Sequence, residues 1–239
     1  MGRLFLVRHA QASFLSQNYD RLSELGVTQA RLLGEYWAQR NVVFSRFCMG
    51  PALRHQQTTL LVAEAYRKAG RPFPTPVIVE EFNEFQGEAV LLQSLPQLLA
   101  NNARVRELHD AMQCSGNDAA KRTNFQRLFE AVISMWVNGE IVLPNVESWP
   151  EFCDRVNRGL SAFLAKSQKG ETAAIFTSGG PVSVAVRRAL HLSAPDTLRV
   201  AWMPRNCSFS EFLFSGDRFA LSSFNAFPHL DEDGLLTYR

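Results

Sequence analysis

The chain has 239 residues, and its 25 Lys and Arg against 23 Asp and Glu leave a net charge of +2. Hydrophobic residues make up 46% and charged residues 20%, which is typical of a folded globular protein and excludes disordered, collagen-like and coiled-coil chains. The length allows one or two domains and a core that needs no disulfides. A nucleic-acid-binding domain is usually strongly basic, so the charge predicts no nucleic-acid partner but leaves room for a local anion site.

Cysteine usage and the N-terminus predict a cytoplasmic protein. The four cysteines form no CxxC pair, so free thiols in a reducing compartment are expected; they are Cys48, Cys114, Cys153 and Cys207. The apolar run at 4–7 is too short for a signal peptide. No stretch approaches the roughly 20 apolar residues that span a bilayer, so we expect no membrane partner.

Short apolar runs alternate with amphipathic stretches along most of the sequence. The predicted strands and helices of the first part are strand 4–7, helix 28–37, strand 42–49, helix 53–68 and strand 77–79. Those of the last part are helix 149–166, strand 173–176, a helix from about 181 to 190, and a hairpin of 209–214 and 219–224. Continuous apolar strands are typical of parallel sheets that are covered on both faces.

The segment 88–150 differs because it contains no convincing strand. Three stretches there are predicted helices, namely 91–99, 105–112 and 124–137. The fold class expected is therefore α/β: a three-layer α/β/α sandwich with a mostly parallel, doubly wound sheet and a helical insertion. We expect one domain over 1–239, with 88–150 as the insertion or cap.

Polar clusters follow four of the predicted strands. They are Arg8-His9, Arg54, Asn83-Glu84 and the run 177–180 (TSGG), which opens a helix. Ligands of such sheets bind beyond the carboxyl ends of the strands. Arginine forks and a helix N-terminus favour an anion, and a histidine there can act as nucleophile or base. The pattern indicates phosphoryl chemistry, although each charge taken singly is more often a surface residue.

Six segments, in this order, resemble the signatures of the histidine phosphatase superfamily, the phosphoglycerate-mutase-like proteins. In chain order they are 6–11 (LVRHAQ, for Arg-His-Gly), 22–30 (LSELGVTQA, for Leu-Thr-x-x-Gly-x-x-Gln-Ala), 50–58 (GPALRHQQT, for Ser-Pro-x-x-Arg-x-x-Gln-Thr), 82–84 (FNE, for Leu-x-Glu), 178–180 (SGG, for His-Gly-Gly) and 225–230 (NAFPHL, for Asn-x-x-x-His-Leu). The resemblance covers roughly 3–87 and 172–230, and the helical middle carries none.

The resemblance implies a phosphatase acting through a phosphohistidine on His9. Arg8 and Arg54 would hold the phosphoryl oxygens, and Glu84 would protonate the leaving group and then activate water. Ser178 and Gly179 would complete the phosphate-binding site at the helix N-terminus. Neither a metal nor a cofactor is expected, because the arginines supply the positive charge. The expected partner is a phosphorylated small molecule or a phosphoprotein, and the oligomeric state is not indicated.

Three positions depart from the family pattern. Ala10 stands in place of glycine, a tolerable change if its φ is negative. Gly50 in place of serine is a minor change. Ser178 in place of the second histidine is the serious one, because a hydroxyl donates one hydrogen bond but cannot become a cation.

Ser178 allows three interpretations. The enzyme is active with a reduced contribution from Ser178, another cation replaces the histidine, or the protein only binds a phosphorylated ligand. Candidates for the replacement cation are His55, Arg187 and His229. The first interpretation is favoured, because His9, both arginines and Glu84 are retained.

Other functions are less favoured. A serine hydrolase would use Ser178 with Asp217 and His229, but it would leave Arg8-His9 and Glu84 unexplained. A mutase must exclude water, and nothing in the sequence favours that over hydrolysis. Phe14 and Tyr19, in the loop after the nucleophile, are candidates for substrate contact.

Overall fold

Strands and helices alternate along the part of the chain that the computed structural model describes, residues 1–13, 20–232 and 234–238. The strands are β1 (Gly2–Arg8), β2 (Arg46–Met49), β3 (Val77–Ile78), β4 (Thr172–Thr177), β5 (Phe209–Ser215) and β6 (Arg218–Ala226). The helices are α1 (Glu24–Gln39), α2 (Leu53–Lys68), α3 (Gly87–Asn101), α4 (Ala103–Gln113), α5 (Asp118–Val137), α6 (Trp149–Ala165), α7 (Gly179–Leu190) and α8 (Ala194–Ala201). No helix in these ranges has both the length and the apolar content to cross a membrane.

The six strands form one sheet in the order β3-β2-β4-β1-β5-β6. β3, β2, β4 and β1 pair in parallel, whereas β5 is antiparallel to both β1 and β6. The prediction of a mostly parallel α/β sheet is confirmed. The chain moves from β1 outward to β2 on one side, and from β4 to β5 on the other. The point where the strand order reverses therefore lies between β1 and β4.

Both faces of the sheet are covered. In β1, Phe5 and Val7 join a core cluster with residues of α1 and α2, such as Leu33 and Val62. The alternate residue Leu6 points to the opposite face and is equally buried, and α7 packs against β1. A strand that is buried on both faces is apolar at every position, and this continuous apolar run is why the sequence predicted β1.

The chain divides into two compact units. One comprises Met1–Glu84 and Arg155–Arg239 and contains the sheet; the other is Phe85–Asp154. The second unit is described in full and contains helices but no strand. Its interior includes stacked rings of Phe85 and Trp136 with centroids 5.4 Å apart. The helical nature of 88–150 agrees with the sequence, and its role as a cap stays a prediction.

Two elements differ from expectation. β2 begins at Arg46 rather than at 42, because Asn41 has a φ of 54° and the Val42 N–H donates to Trp37, which closes the end of α1 with a turn. Helix α8 was not predicted, since it is short. It begins at a cap in which the Ser193 side chain accepts a hydrogen bond from the Asp196 N–H.

The N-terminus of α1 is docked on the chain just after β1. Ser23 caps the helix by accepting from the Gly26 N–H at 3.0 Å, and its own N–H donates to the Gln11 carbonyl at 2.9 Å. A Cβ on Gly26 would lie 2.1 Å from that same carbonyl oxygen. Only a glycine lets the helix approach this closely, so the close contact holds the loop that follows His9.

We expect Gly26→Ala to lower the free energy of unfolding by about 1–3 kcal/mol, because backbone must move to admit the methyl group. Urea unfolding measures this loss. Gly116→Ala is the matched control, since a Cβ on Gly116 meets nothing within 4 Å. Equal effects of the two substitutions would show that the contact with Gln11 does not constrain the fold.

Candidate active site

The predicted site residues lie where β1 and β4 end side by side. Arg8 is the register partner of Thr177, and the His9 N–H donates to the Thr177 carbonyl at 2.8 Å. His9 and Ser178 are therefore the first residues beyond two neighbouring parallel strands. Their place at the point where strand order reverses is the usual ligand-binding position in such sheets.

His9 is buried, and its ring orientation is fixed. Nδ1 lies 2.8 Å from the Ala10 carbonyl oxygen. A carbonyl can only accept, so we assign the proton to Nδ1, which leaves the lone pair on Nε2. Burial, followed by the nearby charges of Arg54 and Arg8, lowers the pKa of His9 well below its ordinary value of 6.5. The ring is therefore neutral near pH 7. Ala10 does not adopt a positive φ.

Both arginines are held by oxygen acceptors. The Arg8 guanidinium Nη1 donates to the Pro204 carbonyl, in the segment after α8. Arg54 Nη1 donates to Asp20 Oδ1 at 2.6 Å, and Arg54 Nη2 lies 3.4 Å from Ser178 Oγ. Asp20 also accepts the Leu53 N–H through Oδ2 at 2.7 Å. One carboxylate thus positions the guanidinium and satisfies an N–H at the start of α2.

Glu84 lies at the N-terminus of α7. Its Oε2 accepts the Gly180 N–H at 3.1 Å, which holds the carboxyl group at the start of the helix. The Thr177 hydroxyl donates to the Phe82 carbonyl at 2.6 Å and ties the segment carrying Glu84 to the end of β4. Gly179 permits close packing, because a Cβ there would lie 2.9 Å from the Ala201 carbonyl oxygen.

Ser178 is almost fully buried and contacts a histidine. Its Oγ lies 2.7 Å from Nε2 of His55, which is itself wholly buried on α2. The His55 and His9 rings have centroids 5.7 Å apart. Burial and Arg54 lower the pKa of His55 well below 6.5, so this ring is also neutral near pH 7.

Of the three candidate replacements for the second histidine, His55 contacts Ser178. His229 packs instead against Tyr36 and Phe209, at ring-centroid distances of 5.9 Å and 6.2 Å. Arg187 lies in the last turn of α7, about 13 Å along the helix from Ser178 at the usual rise per residue.

The serine-hydrolase triad is not assembled. Asp217 lies in the turn between β5 and β6, beside Ser215 and Gly2 at the start of β1. Ser178 follows the opposite ends of the strands, about 20 Å away for a strand of this length. Chain order was therefore a poor guide to this triad of Ser178, Asp217 and His229, because it does not say at which end of a strand a residue lies.

Further side chains of the quoted segments hold the loop after His9 by its backbone. The Thr58 hydroxyl accepts the Ala10 N–H at 3.1 Å, Gln29 Oε1 accepts the Gln11 N–H at 2.9 Å, and Gln57 Oε1 accepts the Leu22 N–H at 2.9 Å. These roles, and that of Asp20, were not predicted. Phe14 and Tyr19 lie outside the described residues. Within the described ranges, no group of three or more His, Cys, Asp or Glu residues could hold a metal ion.

Buried histidines predict loss of stability in acid. Burial lowers the pKa of His229 to about 4, and the pKa values of His9 and His55 are lowered as well. In the unfolded chain each of these histidines takes up a proton near pH 6.5, whereas in the folded chain the three imidazoles stay neutral. The folded state therefore binds fewer protons than the unfolded state in this pH range. The free energy of unfolding should fall below about pH 6.5, by up to about 1.4 kcal/mol per pH unit and histidine.

Urea unfolding of the wild type and His229→Phe at about pH 7 and about pH 5 measures this dependence. The variant should lose less stability than the wild type between the two pH values, because one neutral buried imidazole is gone. An identical loss in both proteins would contradict the assignment of His229.

Solved structures with the same fold include several phosphatases. The chain is similar to alpha-ribazole phosphatase from Shigella flexneri, at 18% identity and a TM-score of 0.60 over 94% of this chain and 96% of that one. It is also similar to a phosphoserine phosphatase mutant from Entamoeba histolytica, at 16% identity and a TM-score of 0.61 over 96% of this chain and 100% of that one. The chain is similar to phosphoglycerate mutase from Bacillus anthracis as well, at 14% identity and a TM-score of 0.60 over 95% of this chain and 94% of that one. No curated protein matched the sequence.

A family model also matches the sequence. The model is that of the histidine phosphatase superfamily (branch 1), and it covers residues 103–226, just over half of the chain. The matched range includes Ser178 and much of the helical middle, for which the motifs alone gave no resemblance. The chain belongs to the histidine phosphatase superfamily.

Proposed function

We propose that this protein hydrolyses a phosphate monoester through a phosphohistidine intermediate on His9. The observation that carries the proposal is the state of His9: a neutral imidazole whose Nδ1 is held by the Ala10 carbonyl, so that Nε2 carries the lone pair. Arg8 and Arg54 both act on this ring electrostatically, which means that an anion beside His9 would lie close to two guanidinium groups. A neutral imidazole nucleophile and two guanidinium groups held in place together favour phosphoryl transfer.

In the first step, His9 Nε2 attacks phosphorus. The N–P bond forms, the bond from phosphorus to the ester oxygen breaks, and Glu84 donates a proton to that departing oxygen. The imidazole keeps its Nδ1 proton throughout, and the Ala10 carbonyl stabilises the positive charge that develops on the ring. Arg8 and Arg54 stabilise the negative charge on the phosphoryl oxygens, which is the main catalytic task in phosphoryl transfer.

In the second step, water replaces the histidine. Glu84, now ionised, removes a proton from water as its oxygen attacks phosphorus, the N–P bond breaks, and inorganic phosphate leaves. Both His9 and Glu84 return to their starting states. Splitting one displacement into two lets the same carboxyl group act first as acid and then as base.

The substrate class is a phosphorylated small molecule or a phosphoprotein. The compared structures include an alpha-ribazole phosphatase, a phosphoserine phosphatase and a glucosyl-3-phosphoglycerate phosphatase, and also a phosphoglycerate mutase. The chemistry at phosphorus is shared among such substrates, so it supports the reaction class rather than one leaving group. We favour hydrolysis over mutase activity, because no feature of the sequence serves to retain the phosphoryl group against water. We also propose a cytoplasmic location and action without a metal.

Rapid-quench labelling with a radiolabelled phosphate monoester tests the proposal. We expect an acid-labile, base-stable phosphate on the wild type and none on His9→Ala, with kcat lowered on the order of 10³-fold or more. His191→Asn is the control, because His191 is exposed and asparagine tolerates its left-handed backbone. Tight phosphate binding without any label would instead identify a protein that only binds phosphorylated ligands.

The effect of Glu84→Gln should depend on the leaving group of the substrate. With an alkyl phosphate, which needs protonation to leave, we expect formation of the phosphoenzyme to slow about 10²–10⁴-fold. With p-nitrophenyl phosphate the loss should be much smaller, because nitrophenolate leaves without a proton. Single-turnover rates measure both. Equal losses on the two substrates would remove Glu84 from the role of proton donor.

A further inference from the structure

Two departures from the family pattern meet at one buried side chain, His55. A Cβ on Gly50 would lie 2.4 Å from His55 Nδ1 and 2.6 Å from the Phe82 carbonyl oxygen. On the other side of the ring, His55 Nε2 lies 2.7 Å from Ser178 Oγ. Gly50 in place of serine makes room for the imidazole, and Ser178 in place of histidine supplies its partner. The two replacements are therefore parts of one arrangement.

The position of His55 is fixed by its surroundings. It follows Arg54 in the first turn of α2 and is wholly buried, so its ring cannot turn out into solvent. The Thr59 hydroxyl donates to the His55 carbonyl at 2.8 Å within the same helix. The imidazole thus reaches Ser178 from a rigid element, and Ser178 Oγ is also 3.4 Å from Arg54 Nη2.

The number of protons in the pair determines what it can offer to a ligand. A neutral imidazole has one N–H, and a serine hydroxyl has one O–H. The Gly50 carbonyl lies beside the ring but is not in hydrogen-bond geometry with Nδ1. We therefore assign the proton to Nε2, which donates it to Oγ, and the hydroxyl proton is then free to point away from His55 toward a third group. The Arg54 guanidinium beside it places that third group in the region where a phosphoryl oxygen would bind.

We propose that His55 is a positioning residue for phosphoryl transfer, which donates Nε2–H to Ser178 Oγ and so directs the Ser178 O–H at a phosphoryl oxygen of the substrate. The proposal rests on the proposed function. Ser178 and His55 together replace the single histidine of the family pattern, with the hydroxyl touching substrate and the imidazole acting through it. The pair stays neutral, so it contributes an oriented hydrogen bond and no additional positive charge.

Ser178 is not itself the nucleophile in this arrangement. Its φ of −115° and ψ of 179° are ordinary extended values, whereas the nucleophile of a strand-to-helix elbow sits on a strained turn. Its side chain lies next to the Arg54 guanidinium, which suits an anionic phosphoryl oxygen. A label on Ser178 would be acid-stable and base-labile, so the chemistry of the label distinguishes the two nucleophiles.

A double-mutant cycle tests the proposal. Ser178→Ala should lower kcat on the order of 10–100-fold, with a smaller change in KM, because the lost hydrogen bond is strongest in the transition state. His55→Leu should have a similar effect. The double variant should be no slower than Ser178→Ala, since His55 acts only through Oγ. Losses that multiply in the double variant would overturn the proposal.

Two further variants separate positioning from packing. His55→Gln keeps an N–H near the place of Nε2 and should recover part of the activity that His55→Leu loses. Tyr66→Phe is the matched control, because Tyr66 is also buried on α2 and its hydroxyl donates to the Val42 carbonyl rather than to His55 or Ser178. Loss of that hydrogen bond should lower the stability of the variant, but its kcat should stay close to that of the wild type. If His55→Gln folds but recovers none of the activity that His55→Leu loses, the proposal is overturned.

The labelling of His9 keeps the two proposals distinguishable. A wild type that forms no phosphohistidine refutes the proposed function, and the role of His55 falls with it. A wild type that is labelled on His9, together with multiplicative losses in the cycle, refutes only the role of His55. Label on Ser178 refutes both and indicates a serine nucleophile.

Discussion

The parallel pairing of β1 with β4 is the constraint on which the candidate site depends. Because Arg8 faces Thr177 in the register, His9 and Ser178 leave the sheet at the same level. β2 pairs with the other edge of β4, with Met49 opposite Phe176, and delivers the start of α2 to the same place. A shift of one residue in either pairing would turn alternate side chains to the wrong face and separate the candidate site residues.

Much of the polar chemistry around the site serves the backbone rather than a ligand. Thr58, Gln29 and Gln57 each accept an N–H from the loop between β1 and α1. A buried N–H without a partner costs about 1–3 kcal/mol, so these side chains stabilise the backbone at Ala10, Gln11 and Leu22. Several motif residues near His9 thus make a geometric contribution, and the position of His9 depends on them.

The sequence predicted those features that are local, and it missed those that join distant segments. Apolar runs predicted the strands, and the polar residues after them gave Arg8, His9 and Glu84 as site candidates, because strand ends have a local signature. The contact of His55 with Ser178 crosses 123 positions of the sequence, and no local pattern marks it. Asp20 was missed for the same reason, since its partners lie on α2.

The charges that surround His9 have a consequence for how a substrate is recognised. Arg54 is paired with Asp20, the Arg8 guanidinium donates to the Pro204 carbonyl, and the imidazoles of His9 and His55 are neutral. With one of the two cations already paired to a carboxylate, and on a chain with a net charge of only +2, the field of this site is weak at long distances. If the proposed function holds, we therefore expect modest long-range steering of a dianion toward the site, with selection among phosphorylated molecules made by short contacts after arrival.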